Sequence, residues 1–228
     1  LAHEIKNPLT PLQLTIDRMK DKYTNQLVKN DQNNFKENLK IINNQIKQIE
    51  NLVNEFSDFA RMPKPVFKNN NLILILSESI KLSSEFDKSI DINFVQNDKK
   101  ILFNCDKEQL SRVFFNLIKN SIESIKQKTD KIGIFDKKIS IEILENSDHI
   151  KFILVDNGIG FEQIRDDLKK ITNPYFTTKK NGTGLGLSIV NKIINDHNGE
   201  LLFFPINDGA KVEIKFKLNG NRNLNSWR

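Results

Sequence analysis

The sequence predicts an α+β fold in which an antiparallel helical hairpin is followed by an α/β sandwich. Three observations carry that expectation. Two long apolar seams run at helical spacing, a proline-rich break follows them, and the remaining chain intersperses strands with a few helices.

The first seam is Ile5, Leu9, Leu12, Ile16, Met19 and Tyr23, spaced 4, 3, 4, 3, 4. After the polar break TNQLVKNDQNN it resumes at Leu39, Ile42, Ile46, Ile49, Val53, Phe56 and Ala60, spaced 3, 4, 3, 4, 3, 4. Such spacing suits a left-handed helical bundle, and a short polar connection makes the pair an antiparallel hairpin. A lone hairpin leaves part of its seam wet. Pairing with a second copy into a dimeric four-helix bundle is the economical solution, and packing on the second domain is the alternative. Pro8 and Pro11 remove backbone donors and are expected to bend the first helix.

Met62-Pro63-Lys64-Pro65 stops the second helix and divides the chain into a hairpin at 1–62 and a second domain at 66–220. Beyond it, Asn71–Ser84 reads as a helix, Ser89–Gln96 and Lys100–Cys105 as strands, and Lys107–Lys126 as a long helix. Lys138–Leu144 and Ile150–Val155 are two more strands, residues 157–184 are irregular, and Leu185–His197 is a helix. Glu200–Phe204 and Lys211–Leu218 close as a hairpin, and the tail from Asn219 is expected to fray.

Composition narrows the function classes. The net charge of +6 comes from 35 basic and 29 acidic residues scattered among one another, with no basic stripe interleaved with aromatics, so nucleic acid is not the expected partner. The single Cys105 excludes an intramolecular disulfide framework and reads as a small buried hydrophobe in a reducing compartment. No apolar run approaches a membrane span, and no signal peptide is visible. The chain starts at Leu1 inside a helix already under way, so it reads as a fragment whose upstream part is missing.

Four clusters carry chemistry. His3-Glu4 lies on the first helix with Asn7-Pro8 one turn on; imidazole has a nitrogen free to attack near neutral pH, and a neighbouring carboxylate fixes its tautomer. Asn116 and Asn120, at i and i+4, share a helix face, and their amide oxygens suit a magnesium ion that keeps several waters and bridges phosphates. Asp156-Asn157-Gly158-Ile159-Gly160 sits at a strand end, where a carboxylate can accept from an exocyclic amine and glycines permit close approach. Gly182-Thr183-Gly184-Leu185-Gly186 runs directly into a helix, whose exposed N–H groups and dipole suit a triphosphate. Each alone has an ordinary reading as a solvated helix face or a simple turn.

In this order, the clusters resemble the sensor histidine kinases of two-component systems. His3-Glu4-xx-Asn7-Pro8 is similar to their H box, Asn116-Leu117-xx-Asn120 to the N box and Asp156-x-Gly158-x-Gly160 to G1. Pro174-Tyr175-Phe176-Thr177-Thr178-Lys179 is similar to the F box, and Gly182-Thr183-Gly184-Leu185-Gly186-Leu187 to G2. The run NPLTPLQL resembles the nitrogen-regulation, NtrY-like branch.

The resemblance implies a dimerisation and phosphotransfer hairpin followed by a Bergerat-type (GHKL) ATP-binding domain. It makes His3 the phosphoacceptor, Glu4 its base or orienter, and Asn7 the residue that orients water if the protein is also a phosphatase of its partner. Asn120, with Asn116 beside it, holds Mg²⁺; Asp156, Gly158 and Gly160 take the adenine end of ATP. Residues 157–184 form a mobile lid, and Tyr175, Phe176, Lys179, Gly182, Thr183, Gly184, Leu185 and Gly186 approach the nucleotide. The implied partners are a second copy of the chain and the receiver domain of a response regulator. One departure is that only two residues precede His3, so the helix start is expected to weaken activity. A non-kinase ATPase of the same nucleotide fold and a catalytically degenerate scaffold are the alternatives.

Overall fold

The computed structural model describes residues 2–95, 100–161, 168–179 and 182–218, with the backbone alone for residues 2–4, 6 and 30. By internal contacts the chain divides into two units: residues 1–63 with 175–185, and residues 64–174 with 186–228.

In the first unit, α1 (Ala2–Tyr23) and α2 (Lys29–Ala60) are antiparallel and joined through a short 3₁₀ turn at Thr24–Gln26. α1 stays helical through both prolines. α2 starts inside the stretch expected to be connection, because Val28 carbonyl accepts from both Asp31 and Gln32 and opens the helix early. Leu9 and Ile16 of the first seam and Leu39, Ile46 and Val53 of the second are buried, and Leu9, Ile16, Leu39 and Ile46 form one cluster with Phe35 packed on it. Between them Ile5, Leu12, Met19, Ile42 and Ile49 face outwards, with Leu12 52% exposed, Ile42 47% and Ile49 44%.

The second unit opens with β1 (Lys68–Asn71), which pairs antiparallel with β3 (Leu102–Cys105). Sequence reasoning missed β1, since KNNN has no apolar alternation; the Asn70 amide donates to the Cys105 carbonyl at 2.9 Å and ties the strand down from its side chain. Asn71 caps α3 (Leu72–Ser84) by accepting from the Ile73 amide. β2 (Asp91–Phe94) follows, and α4 runs from Lys107 to Ile132, beyond the expected end at Lys126. Gly133, at φ +83°, ends it with its N–H on Thr129 carbonyl.

β4 (Lys138–Glu145), β5 (His149–Asp156), α5 (Gly186–Asp196), β6 (Gly199–Pro205) and β7 (Ala210–Lys217) complete the unit. The five-stranded sheet has the order β2-β4-β5-β7-β6, parallel only between β2 and β4. Alternate residues of β4 and β5 are buried, which gives the sheet one dry face. The buried faces of α3, α4 and α5 supply the apolar side chains that match it, with Phe114 of α4 packed 5.0 Å from Phe152 of β5. Cys105 is fully buried, as its place in a strand predicts, and burial pushes its thiol up to about 11.

Candidate functional site

α4 and the end of β5 bring the N-box and G1 residues into one unit. Leu110, Val113, Phe114, Leu117 and Ile118 commit one side of α4 to the core, which leaves Asn116 and Asn120 half-buried on the adjoining stripe. The i, i+4 register continues down the helix through Ser124 and Lys128.

Asp156 ends β5 and is 3% exposed. Its Oδ2 accepts from the Ser121 hydroxyl at 2.8 Å and its Oδ1 from the Gly158 amide at 3.0 Å. Burial pushes the carboxyl up to about 6 against the pull of these donors, of the Ala210 amide and of the Lys128 charge. The carboxylate retains lone pairs beyond those its donors occupy, so it can take an exocyclic amine.

The glycines of this turn are there for space and conformation. A Cβ on Gly158 would lie 2.7 Å from the Ser124 carbonyl carbon and collide with its hydroxyl. Gly160 has φ +65°, and a Cβ there would run into Gly209 of the β6–β7 turn. The turn is therefore pressed against α4 on one side and against the β6–β7 turn on the other. The Ile159 amide donates to the Ser124 hydroxyl at 3.1 Å, which fixes that approach.

These features fit the groups the sequence implies. The amide oxygens of Asn116 and Asn120 are hard, neutral donors suited to Mg²⁺ among phosphates and water. The Asp156 carboxylate, beside glycines that carry no side chain, is an acceptor of the kind an exocyclic amine needs.

Tyr175–Leu185 groups with the helical hairpin rather than with the sandwich. There the Tyr175 amide donates to the Gly184 carbonyl at 3.1 Å, and the Thr183 hydroxyl donates to the Glu55 carboxylate of α2. Tyr175 has φ +68°. The Lys179 amide donates to the Thr177 hydroxyl, the Gly182 amide to the Lys179 carbonyl, and Phe176 is half-buried. Leu185 is fully buried, and Gly186 is the first residue of α5. Lys180 and Asn181, inside the expected lid, lie outside the described residues, as do residues 162–167.

His3 and Glu4 sit in the first turns of α1, and their side chains lie outside what is described. Asn7 follows on the same helix and is exposed.

Sequence reasoning missed Ser121, Ser124 and Lys128. The continuing i, i+4 register was a signal for the last two; Ser121 meets Asp156 only through the tertiary fold.

Residues 105–220 match the family described as histidine kinase-, DNA gyrase B- and HSP90-like ATPase, and residues 1–65 match the His kinase A (phospho-acceptor) domain. The chain belongs to the histidine kinases. It is 35% identical over 219 residues to an NtrY-like protein of Rickettsia prowazekii, a match covering 96% of this chain and 35% of that one. It is 32% identical to nitrogen regulation protein NtrY of Azorhizobium caulinodans, with 96% and 28% covered. This histidine kinase chain thus spans about a third of the length of such curated relatives. Among solved structures, the histidine kinase ThkA in complex with the response regulator protein TrrA superposes with a TM-score of 0.66 at 26% identity, covering 97% of this chain and 60% of that one. The isolated ThkA catalytic domain superposes with a TM-score of 0.57 at 27% identity, covering 67% of this chain and 95% of that one. Among the described residues, no helix of this kinase is long and apolar enough to cross a membrane.

Proposed function

We propose that this chain is the catalytic core of a sensor kinase that phosphorylates itself on His3 from MgATP and passes the group to an aspartate of a response regulator. The observation that carries the reading is the pairing, in one chain, of a phospho-acceptor domain holding His3-Glu4-xx-Asn7-Pro8 with an ATPase domain whose Asp156 is buried and pre-set. A non-kinase ATPase has no need of the first.

The roles follow the chemistry of each group. Asp156 accepts the adenine amine, and the turn at Gly158 and Gly160 lets the ring approach the backbone. Asn120 and Asn116 hold the magnesium ion, which supplies charge neutralisation for the phosphates. Gly182–Gly186 presents backbone donors at the start of α5, and Lys179 adds a positive charge. Tyr175, Phe176 and Thr183 belong to the lid, and Leu185 to the G2 run that follows it. Glu4 orients the His3 imidazole so that one nitrogen is free to attack, and Asn7 positions water in the reverse, phosphatase direction. Phosphoryl transfer asks little covalent work of the protein, so positioning and charge neutralisation carry the catalysis. Domain movement about Met62–Pro65 brings the histidine to the nucleotide.

The open half of the hairpin seam supports a homodimer through residues 5–60, in which Ile42, Ile49 and their neighbours are covered by a second copy. ThkA, crystallised with a response regulator, supports a receiver domain as the partner. The resemblance to sensor kinases supports a parent protein at the cell membrane, with this part in the cytoplasm.

The test is the chemistry of the label taken from γ-labelled ATP. A phosphoramidate on His3 is acid-labile and alkali-stable. An acid-stable label would point to a hydroxyl acceptor and overturn the reading.

A further inference from the structure

Lys128 lies on the α4 stripe that begins with Asn116 and Asn120, two turns beyond the latter, and no role falls to it in the nucleotide reading above. Its side chain is only 16% exposed. The ammonium donates to the Asn157 carbonyl at 2.8 Å, pairs with Asp208 of the β6–β7 turn, and stands 4.8 Å over the Phe135 ring. A largely buried lysine spending its donors on a backbone carbonyl and a carboxylate from distant turns is a tie, not a solvated charge.

What it ties is the G1 turn. Asn157 follows Asp156 directly and is held from the other side as well. Its side chain donates to the Asp136 carbonyl at 2.6 Å and accepts from the Lys138 amide at 2.9 Å. On the far side, Asp208 precedes Gly209, which has φ +111° and stands so close that a Cβ there would strike the Asp156 carbonyl. Lys128 thus joins three segments: α4, the peptide after Asp156, and the β6–β7 turn on which Gly160 rests.

We infer that Lys128, with Asp208 as its counter-ion, is a positioning residue that sets the adenine end of the nucleotide site by holding the Asp156–Gly160 turn between α4 and the β6–β7 turn. It touches neither nucleotide nor metal and acts through Asn157 and Gly209. The inference rests on the reading of Asp156 as the adenine acceptor. Without the ammonium, the Asn157 carbonyl loses its donor and Asp208 its partner, and the turn relaxes away from the position that Asp156 needs.

Calorimetric titration of the whole chain with MgATP separates positioning from folding, because damage to the fold lowers the number of sites whereas a misplaced turn weakens each site. Lys128→Met is expected to weaken MgATP binding about tenfold, the loss of one charge-assisted hydrogen bond, with one nucleotide still bound per chain. Lys128→Arg keeps the charge and the donors and is expected to stay within about twofold of the native chain. Asp208→Asn, a milder change should the Met variant not fold, is expected to weaken binding about threefold. Native affinity in Lys128→Met or, if that variant does not fold, in Asp208→Asn overturns the inference. So does lost stoichiometry at native affinity, or an Arg variant no better than Met. Failure of the native chain itself to bind MgATP overturns the nucleotide reading instead, and this inference with it.

Discussion

The Ser121 hydroxyl donates to Oδ2 of Asp156 at 2.8 Å, across 35 residues of sequence. It directly links the helix bearing Asn116 and Asn120 to the buried carboxylate at the strand end. The G1 acid is thereby held in place before any ligand arrives, at the cost of keeping a charge in a dry site.

That cost is measurable. Asp156 has its pKa pushed up by burial to about 6 from an ordinary 3.8. A carboxyl raised on folding contributes most to stability below pH 3.8, and that contribution is lost as pH rises through 6, on the order of 3 kcal/mol in total. An amine donor favours the ionised form. MgATP affinity should therefore climb about tenfold per pH unit up to pH 6 and level off above it. Asp156→Asn should raise the melting temperature of the nucleotide-free chain at pH 7 while weakening MgATP at least about tenfold. An affinity flat between pH 5 and 7 would remove Asp156 from the nucleotide contacts.

His197 makes the opposite contribution. It is buried at the end of α5, where Nδ1–H donates to the Ile193 carbonyl at 2.8 Å and Nε2 accepts from the Asp106 amide at 3.1 Å. Both nitrogens are satisfied only in the neutral ring, and burial lowers its pKa from 6.5. The stability this gives is fully present above pH 6.5 and is lost as pH falls from 6.5 through the lowered folded value. Asp106 in turn caps α4 and accepts from the Val66 amide, so the linker exit and two helices meet here. His197→Ala should cost about 2–4 kcal/mol by denaturant titration at pH 7.5 and less at pH 5. An equal cost at both values would show that the ring matters only for its volume.

The two rows of the hairpin seam predict different fates for neighbouring substitutions. Ile46 is 5% exposed and packs within its own hairpin, whereas Ile49 is 44% exposed. Ile49→Lys should leave helical content intact and shift the chain from dimer to monomer by light scattering at tens of micromolar. Ile46→Lys buries an unpaired charge and should melt the hairpin itself, at about 3–5 kcal/mol. A native chain that is monomeric at that concentration would contradict the dimer.

Legibility followed periodicity and failed where contacts are non-local. The 3–4 seams announced both helices, but not which rows pack inside the hairpin. The alternation in Lys138–Leu144 and Ile150–Val155 announced β4 and β5 within a residue or two. β1 was hidden because an edge strand of lysine and asparagines owes its pairing to Leu102–Cys105, which lies about thirty residues further on. At the site, Asn116, Asn120, Asp156 and the glycines stood out because their residue types carry the chemistry. Ser121, Ser124 and Lys128 did not, since a serine or lysine on a helix has a role only once its tertiary neighbour is known.

The central claim is that His3 is the acceptor served by the nucleotide site around Asn120, and one labelling experiment on two variants tests it. His3→Gln removes only the nucleophile, so it should bind MgATP and take no acid-labile label. Asn120→Asp alters the metal ligands and adds a negative charge beside the phosphates, so it should bind poorly and also stay dark. If one chain of a dimer serves the other, mixing and re-equilibrating the two variants restores label, only on the Asn120→Asp chain, which keeps His3. If each chain serves itself, the mixture stays dark. Acid-labile label on the native chain that disappears in His3→Gln is the result the account predicts, and stable labelling of His3→Gln by itself would contradict it.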